Sequence, residues 1–288
     1  MTYLTRARPE ALTAASAIDL KAEMTFSARN RMAMRDIREG MHKVWLAAVL
    51  GWLDIRLRYR GSMLGPFWLT LSTAIMVGAL GLLYSALFKM EVHDYLPYLA
   101  LSLVLWNFLA TLVSDGCAAF TESEAMIRSH RMPYLLYALR VAIRNTLVFA
   151  HNFIVIAVVF VIFEIRPHMT ALLVVPAFLL WAVDAIAIIL LLGAFCARFR
   201  DIPPIVASVM QIAFFLSPVI WKPELLGDGA KYLPLNPFYA LFELVRAPLL
   251  GEVPTHATWA SALAYSALLC AVSWALFVRV RGRLAFWV

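Results

Sequence analysis

The residues of this chain that could do acid–base, nucleophilic or metal chemistry are its histidines, cysteines and acids, and their spacing argues against all three. His42, His93, His130, His151, His168 and His256 are spread over more than 200 residues. None stands in an H-E-x-x-H pair, and no G-x-S-x-G elbow presents a serine nucleophile. Cys117, Cys196 and Cys270 lie in or beside apolar stretches without a C-x-x-C pair, so they read as small core residues. No glycine is followed by lysine, which excludes a phosphate-cradling loop in front of a helix. Glu91 and Asp94 read as a solvated loop pair. Asp115, Glu122 and Glu124 are the one acidic cluster at a shared membrane face. No catalytic residue, metal site or cofactor is expected in this chain.

What must position the remaining residues is a membrane bundle. Of the 288 residues 63% are hydrophobic and 15% charged, and the mean hydropathy is +0.79. A water-soluble domain carries nearer a quarter charged residues. A spanning helix needs about 20 apolar residues. Six segments satisfy this: 67–88, 96–118, 145–163, 169–197, 202–221 and 257–278. The fold class is therefore all-α and polytopic. Lys and Arg are retained in cytoplasmic loops. With both termini inside, eleven fall in residues 1–66, four in 119–144, two in 198–200 and three in 279–283, twenty of the 25. Residues 1–42 read as a polar, partly disordered cytosolic arm without the apolar run of a cleavable signal. Asp184 and His151 sit inside spans, where a charge is costly. One acid and one histidine do not make a proton relay, and Asp184 is expected to pack against polar neighbours or stay protonated.

Three local patterns stand out. Leu46, Val49, Leu50, Leu53 and Leu57 recur at helical spacing, flanked by Trp45 and Trp52, with Asp54 and Arg58 one turn apart. This predicts a helix lying in the headgroup region, followed by a turn at Gly61, Gly65 and Pro66 into the first span. Thr121-Glu-Ser-Glu124 has the form of a capping box, with Arg128 and Arg131 towards the far end and Pro133 beyond. It predicts a short helix over 122–131, either a surface connector or a lever for a soluble partner. Residues 232–242 are apolar but broken by Pro234 and Pro237, so they either dip into the outer leaflet as short helices or lie on it.

The turn Arg58-Tyr-Arg-Gly-Ser-x-Leu-Gly-Pro-x-Trp68, the segment Phe199-Arg-Asp-Ile-Pro203, the exit Ser217-Pro-Val-Ile-Trp221 and Leu235-Asn-Pro-Phe238 together resemble the ABC-2 type permeases of polysaccharide exporters, the O-antigen and capsule transporters among them. The likeness covers roughly residues 40–288. It implies a homodimer in the bacterial inner membrane with two ATP-binding cassette subunits, which bind ATP and Mg, moving a polyprenyl-linked glycan outwards. It makes the 122–131 helix, with Thr121, Glu122, Glu124, Arg128 and Arg131, the coupling helix. The 232–249 region becomes short gate helices at the outer mouth. Membrane lipids are partners too, nucleic acid is not.

Sugars offer apolar ring faces to aromatic platforms, and Phe67, Trp68, Trp106, Phe214, Phe215 and Trp221 are the candidates. The interfacial aromatic belt accounts for them equally. Arg58, Tyr59 and Arg60 stand where a carrier pyrophosphate would lie, a place that the positive-inside rule also gives arginines. A drug or small-lipid exporter shares the same plan. An ion-coupled transporter would show paired intramembrane charges or an inverted repeat, and a membrane transferase would need converging acids or histidines.

Overall fold

A computed structural model describes residues 25–63, 65 and 67–288; the first part of the polar arm and Pro66 of the expected turn lie outside the described residues. Every regular element among them is helical: α1 (Phe26–His42), α2 (Val44–Arg58), α3 (Phe67–Phe88), α4 (Val92–Ala118), α5 (Glu124–Ser129), α6 (Tyr134–Ile162), α7 (Val174–Arg198), α8 (Ile202–Leu216), α9 (Pro237–Leu249), α10 (His256–Val280) and α11 (Leu284–Trp287). Short 3₁₀ turns precede α7 and α9 and follow α10.

Helix α4 is the centre of the bundle. It is apolar all round, as a helix enclosed by others must be, and 78% of its span is buried against 22% for α3. Helices α3, α6, α7, α8 and α9 surround it. Five helices are long and apolar enough to cross a bilayer: α3, α4, α6, the Met169–Arg198 segment and the His256–Trp287 segment.

The expected fifth span, 202–221, is not one helix. At 15 residues and 1.5 Å per residue, α8 covers about 22 Å of roughly 30 Å of hydrocarbon. Ser217 turns to extended backbone (ψ 145°), which frees carbonyls that hydrocarbon cannot satisfy. Protein groups meet them: Tyr98 Oη shares its one proton between the oxygens of Pro218 (2.8 Å) and Trp221 (3.0 Å), and Tyr95 Oη donates to that of Ile220. The third span starts at Tyr134, not at residue 145. Arg140 and Arg144 interrupt its hydropathy, yet both sit in the helix because Asp54 and Asp115 meet their charges.

Two helices precede the first span. Part of the polar arm is ordered as α1, against α6 and α10, where a Cβ on Gly40 would come within 2.6 Å of the Leu135 Cβ. Asp36, 1% exposed, accepts from the Tyr134 and Leu135 amides (3.2 and 3.1 Å) and pairs with Arg281 at 2.9 Å. One carboxylate thus caps α6 from another helix and anchors the end of α10. The helix expected before the first span is present as α2, and Ala47, Gly51 and Ile55 are its protein-facing residues. Val49, Leu53, Leu57, Trp45 and Trp52 stay exposed, so the large apolar side chains face away from the bundle.

Between α8 and α10, 3₁₀ turns bent at Gly227 (φ 53°) lead to α9, which the Asn236 side chain caps by accepting from Phe238 and Tyr239. Most of α9 is buried against α4, α7 and α10, so this segment is part of the bundle's core and not a loop over it.

Candidate functional site

At the basic end of the bundle, a charged seam fixes α2, α4 and α6. Arg140 grips Asp54 through two parallel hydrogen bonds, Nε to Oδ2 at 2.7 Å and Nη2 to Oδ1 at 2.5 Å. Arg144 stands 3.5 Å from Asp54, 2.9 Å from Asp115 and 3.6 Å from Glu122. Asn145 Nδ2 donates to Asp115 at 2.9 Å. Asp54 therefore pairs across helices, and the intrahelical pair with Arg58 expected from the one-turn spacing does not form. A two-pronged guanidinium–carboxylate contact outdoes an exposed i,i+4 pair.

Helix α5 hangs below this seam. It is six residues long, Glu124–Ser129, not 122–131, and the capping box is absent. Thr121 Oγ1 donates to Ala118 O (3.1 Å) and Ser123 Oγ to Ala119 O (2.9 Å). The carbonyls at the α4 terminus capture the hydroxyls that would have capped α5. Glu124 instead pairs with Arg128 at 2.8 Å, and Arg128 Nη2 donates to Val288 O at 2.6 Å. Thr121, Glu122, Glu124, Arg128 and Arg131 are all exposed, so the loop presents mixed charge outwards.

Arg58, the last residue of α2, and Arg60 beyond it are exposed, and Tyr59 between them is half-buried, its phenol pushed up by burial against the pull of Arg58. Gly61 (φ 86°) and Gly65 (φ 54°) make the turn expected there. Of the aromatic candidates, Phe67, Trp68 and Phe215 are 53–63% exposed. Trp106 is 5% exposed, wedged between Phe214 and Phe238 with ring centroids 5.5 Å from each. In this conformation it is a packing residue. Phe214 is half-buried, and Trp221 is held by its Nε1 donating to Phe215 O at 3.1 Å.

At the other end of α4, Arg246 of α9 is 1% exposed. Its Nη1 shares its two hydrogens among Tyr98 Oη, Ser102 Oγ and Pro218 O, at 2.7, 2.9 and 2.7 Å, and Glu243 pairs with its other nitrogens. Burial, then repulsion from Glu243 and Glu224, holds the nearby Glu252 carboxyl above the usual carboxylate range. In the bundle interior Asp184 accepts from Ser266 at 2.6 Å, while His151 Nδ1 lies 2.9 Å from Leu147 O of its own helix. These bonds tie each group locally and do not join the two. Among the described residues no three His, Cys, Asp or Glu converge as a metal set.

Sequence reasoning missed Asp36, the Asp54–Arg140 fork and Arg246. The available signal was charge inside otherwise apolar helices, Arg140 and Arg144 one turn apart above all.

The chain belongs to the ABC-2 type transporter family, whose pattern matches residues 46–250, from α2 through α9. It is therefore a multi-pass membrane component of a transporter. It is also similar to the O-antigen export system permease protein RfbA of Myxococcus xanthus, 23% identical over 197 residues covering 67% of this chain and 76% of that one. The permease of the same name from Klebsiella pneumoniae is 18% identical over 181 residues, 62% of this chain and 70% of the relative.

Proposed function

We propose that this chain is the membrane half of an exporter that moves a lipid-linked polysaccharide, of O-antigen or capsule type, outwards across the bacterial inner membrane. The observation that carries the reading is α5: a short, charged, exposed helix between α4 and α6, next to Glu122, which reaches Arg144 of the charged seam. Such a lever suits a soluble subunit that supplies ATP hydrolysis with Mg, since this sequence has no phosphate-binding loop. Two copies with two such subunits form the working assembly, both termini face the cytosol, and α8 with residues 217–221 forms the fifth of six crossings. The relatives' export role supports the substrate class, as do the exposed Phe67, Trp68 and Phe215.

A second reading, export of drugs or small lipids, is favoured by one observation. An almost wholly apolar cavity of about 510 Å³ lies between α4, α7, α8, α9 and α10. Cells lacking the gene decide between them. The polysaccharide reading expects loss of surface glycan and accumulation of lipid-linked glycan inside. Unchanged surface glycan with new sensitivity to an apolar toxin would replace it by the second.

A further inference from the structure

In the half of the bundle nearer the charged seam, α3, α4 and α6 each turn polar residues towards one niche of about 240 Å³. Ser72 and Thr73 come from α3, Asn107 and Thr111 from α4, Asn145 and Asn152 from α6. Six hydroxyl and amide groups at membrane depth are costly unless something pairs with them. Some are already partly satisfied: Ser72 Oγ donates to Leu69 O (3.0 Å), Thr111 Oγ1 to Asn107 O (2.7 Å), and Asn145 Nδ2 spends both its hydrogens on Val141 O (3.0 Å) and Asp115 (2.9 Å). Those hydroxyls have spent their proton and keep lone pairs free to accept. Asn152 is different. It is 8% exposed and lines the niche, and its Oδ1, which has no hydrogen-bond partner among the described residues, is itself closed off, so a ligand meets it only once the amide turns into the niche. The remaining wall is apolar: Leu69, Met76, Val104 and Val148, with Phe108 against Phe149 at a centroid distance of 4.8 Å.

We infer that this niche binds a single pyranose ring, a subsite for the glycan in the proposed export reading, on which the inference rests. The ligand class follows by matching groups. A polyhydroxylated ring supplies donors and acceptors to amides and hydroxyls and sets its C–H face on Phe108 and Phe149. A hydrocarbon chain would leave the polar groups unpaired, at a cost for each buried one. A phosphate or carboxylate would find no cation in the lining, for Arg144 lies outside it, engaged with Asp54 and Asp115. The volume suits one monosaccharide ring and excludes an extended chain, so a polymer would be held one residue at a time.

The test uses the full chain in lipid nanodiscs and saturation-transfer NMR with n-butyl pyranosides. The n-butyl ether of tetraethylene glycol is the control for surfactant-like partitioning. The expected result is transfer to the pyranoside ring protons and none to the ether. Asn107→Leu and Asn152→Leu should each weaken pyranoside binding about five- to tenfold, the loss of one or two hydrogen bonds. Thr73→Val, a smaller change that keeps the fold should the Leu variants unfold, should weaken it about threefold. Equal transfer to both probes, or affinity unchanged in all folded variants, would overturn the subsite and leave a niche filled by water. The export reading is scored separately: pyranoside binding in a chain whose deletion leaves surface glycan intact would sink that reading and not the niche.

Discussion

Arg246 Nη1 stands 2.7 Å from the Tyr98 hydroxyl, and the guanidinium carbon lies 4.3 Å from the centre of the same ring. One side chain therefore joins α9 to α4 and, through Pro218 O, to the broken end of α8. Lysine cannot reproduce a planar fork. Arg246→Lys should lower stability by about 1 to 3 kcal/mol. Arg246→Met, which strands Glu243, should lower it by about 3 to 5 kcal/mol. Thermal unfolding of the purified protein measures both, and adding Glu243→Gln to the Met variant should restore part of the loss.

At the opposite end, Asp54→Asn should loosen α2 from α6. Arg140 keeps its charge but loses the carboxylate opposite it and one of its two parallel bonds, since only the amide oxygen still accepts, at about 1 to 3 kcal/mol. The exposed Arg58→Gln should change stability by about 0.5 kcal/mol or less. Protease accessibility of α2 in detergent reads the difference, and equal cleavage in both variants would contradict the cross-helix pairing.

For α5 the missing capping box changes what mutation should do. Thr121→Ala should leave stability within about 0.5 kcal/mol, because its hydroxyl serves α4 and not the α5 amides. Glu124→Lys puts two cations one turn apart and reverses the charge offered to a soluble subunit. Co-purification of the ATP-binding subunit should fall while the amount in the membrane stays constant. Undiminished recovery of the partner would remove α5 from the docking surface.

Trp68 and Trp106 should separate cleanly. Trp106→Ala empties a packed position and should cost about 3 to 5 kcal/mol, seen as loss of folded protein. Trp68, 53% exposed, has little packing to lose. Trp68→Ala should slow appearance of surface glycan in pulse-labelled cells with thermal stability unchanged.

Glu252 gives a pH signature. Its carboxyl is held above the ordinary value of 4.5 by burial first and then by Glu243 and Glu224. The folded state therefore binds this proton more readily than the unfolded state does. Stability gains a component as pH falls from neutral through the raised value, and the gain levels off below the ordinary one. Glu252→Gln should remove that component and unfold at a higher temperature than the parent at pH 7.5. A parent and variant that respond identically between pH 7.5 and 5 would refute this.

The membrane bundle was legible in the sequence because hydropathy is a local property. Phe67–Phe88 shows no charge over 22 residues, and nothing elsewhere in the chain is needed to make it a helix in lipid. Glycines 61 and 65 were legible for the same reason, since a left-handed turn is a constraint on one residue. Tertiary structure decided whatever depended on a partner far along the chain. Arg140 looked like the end of a span until Asp54, 86 residues away, made it part of one. Thr121 looked like a helix cap until the α4 carbonyls took its hydroxyl. Trp106 and Trp68 carry the same ring, and only packing made one core and the other surface. Hydropathy sums neighbours along the chain, whereas hydrogen-bond and ion-pair choices are settled between groups that folding alone brings together.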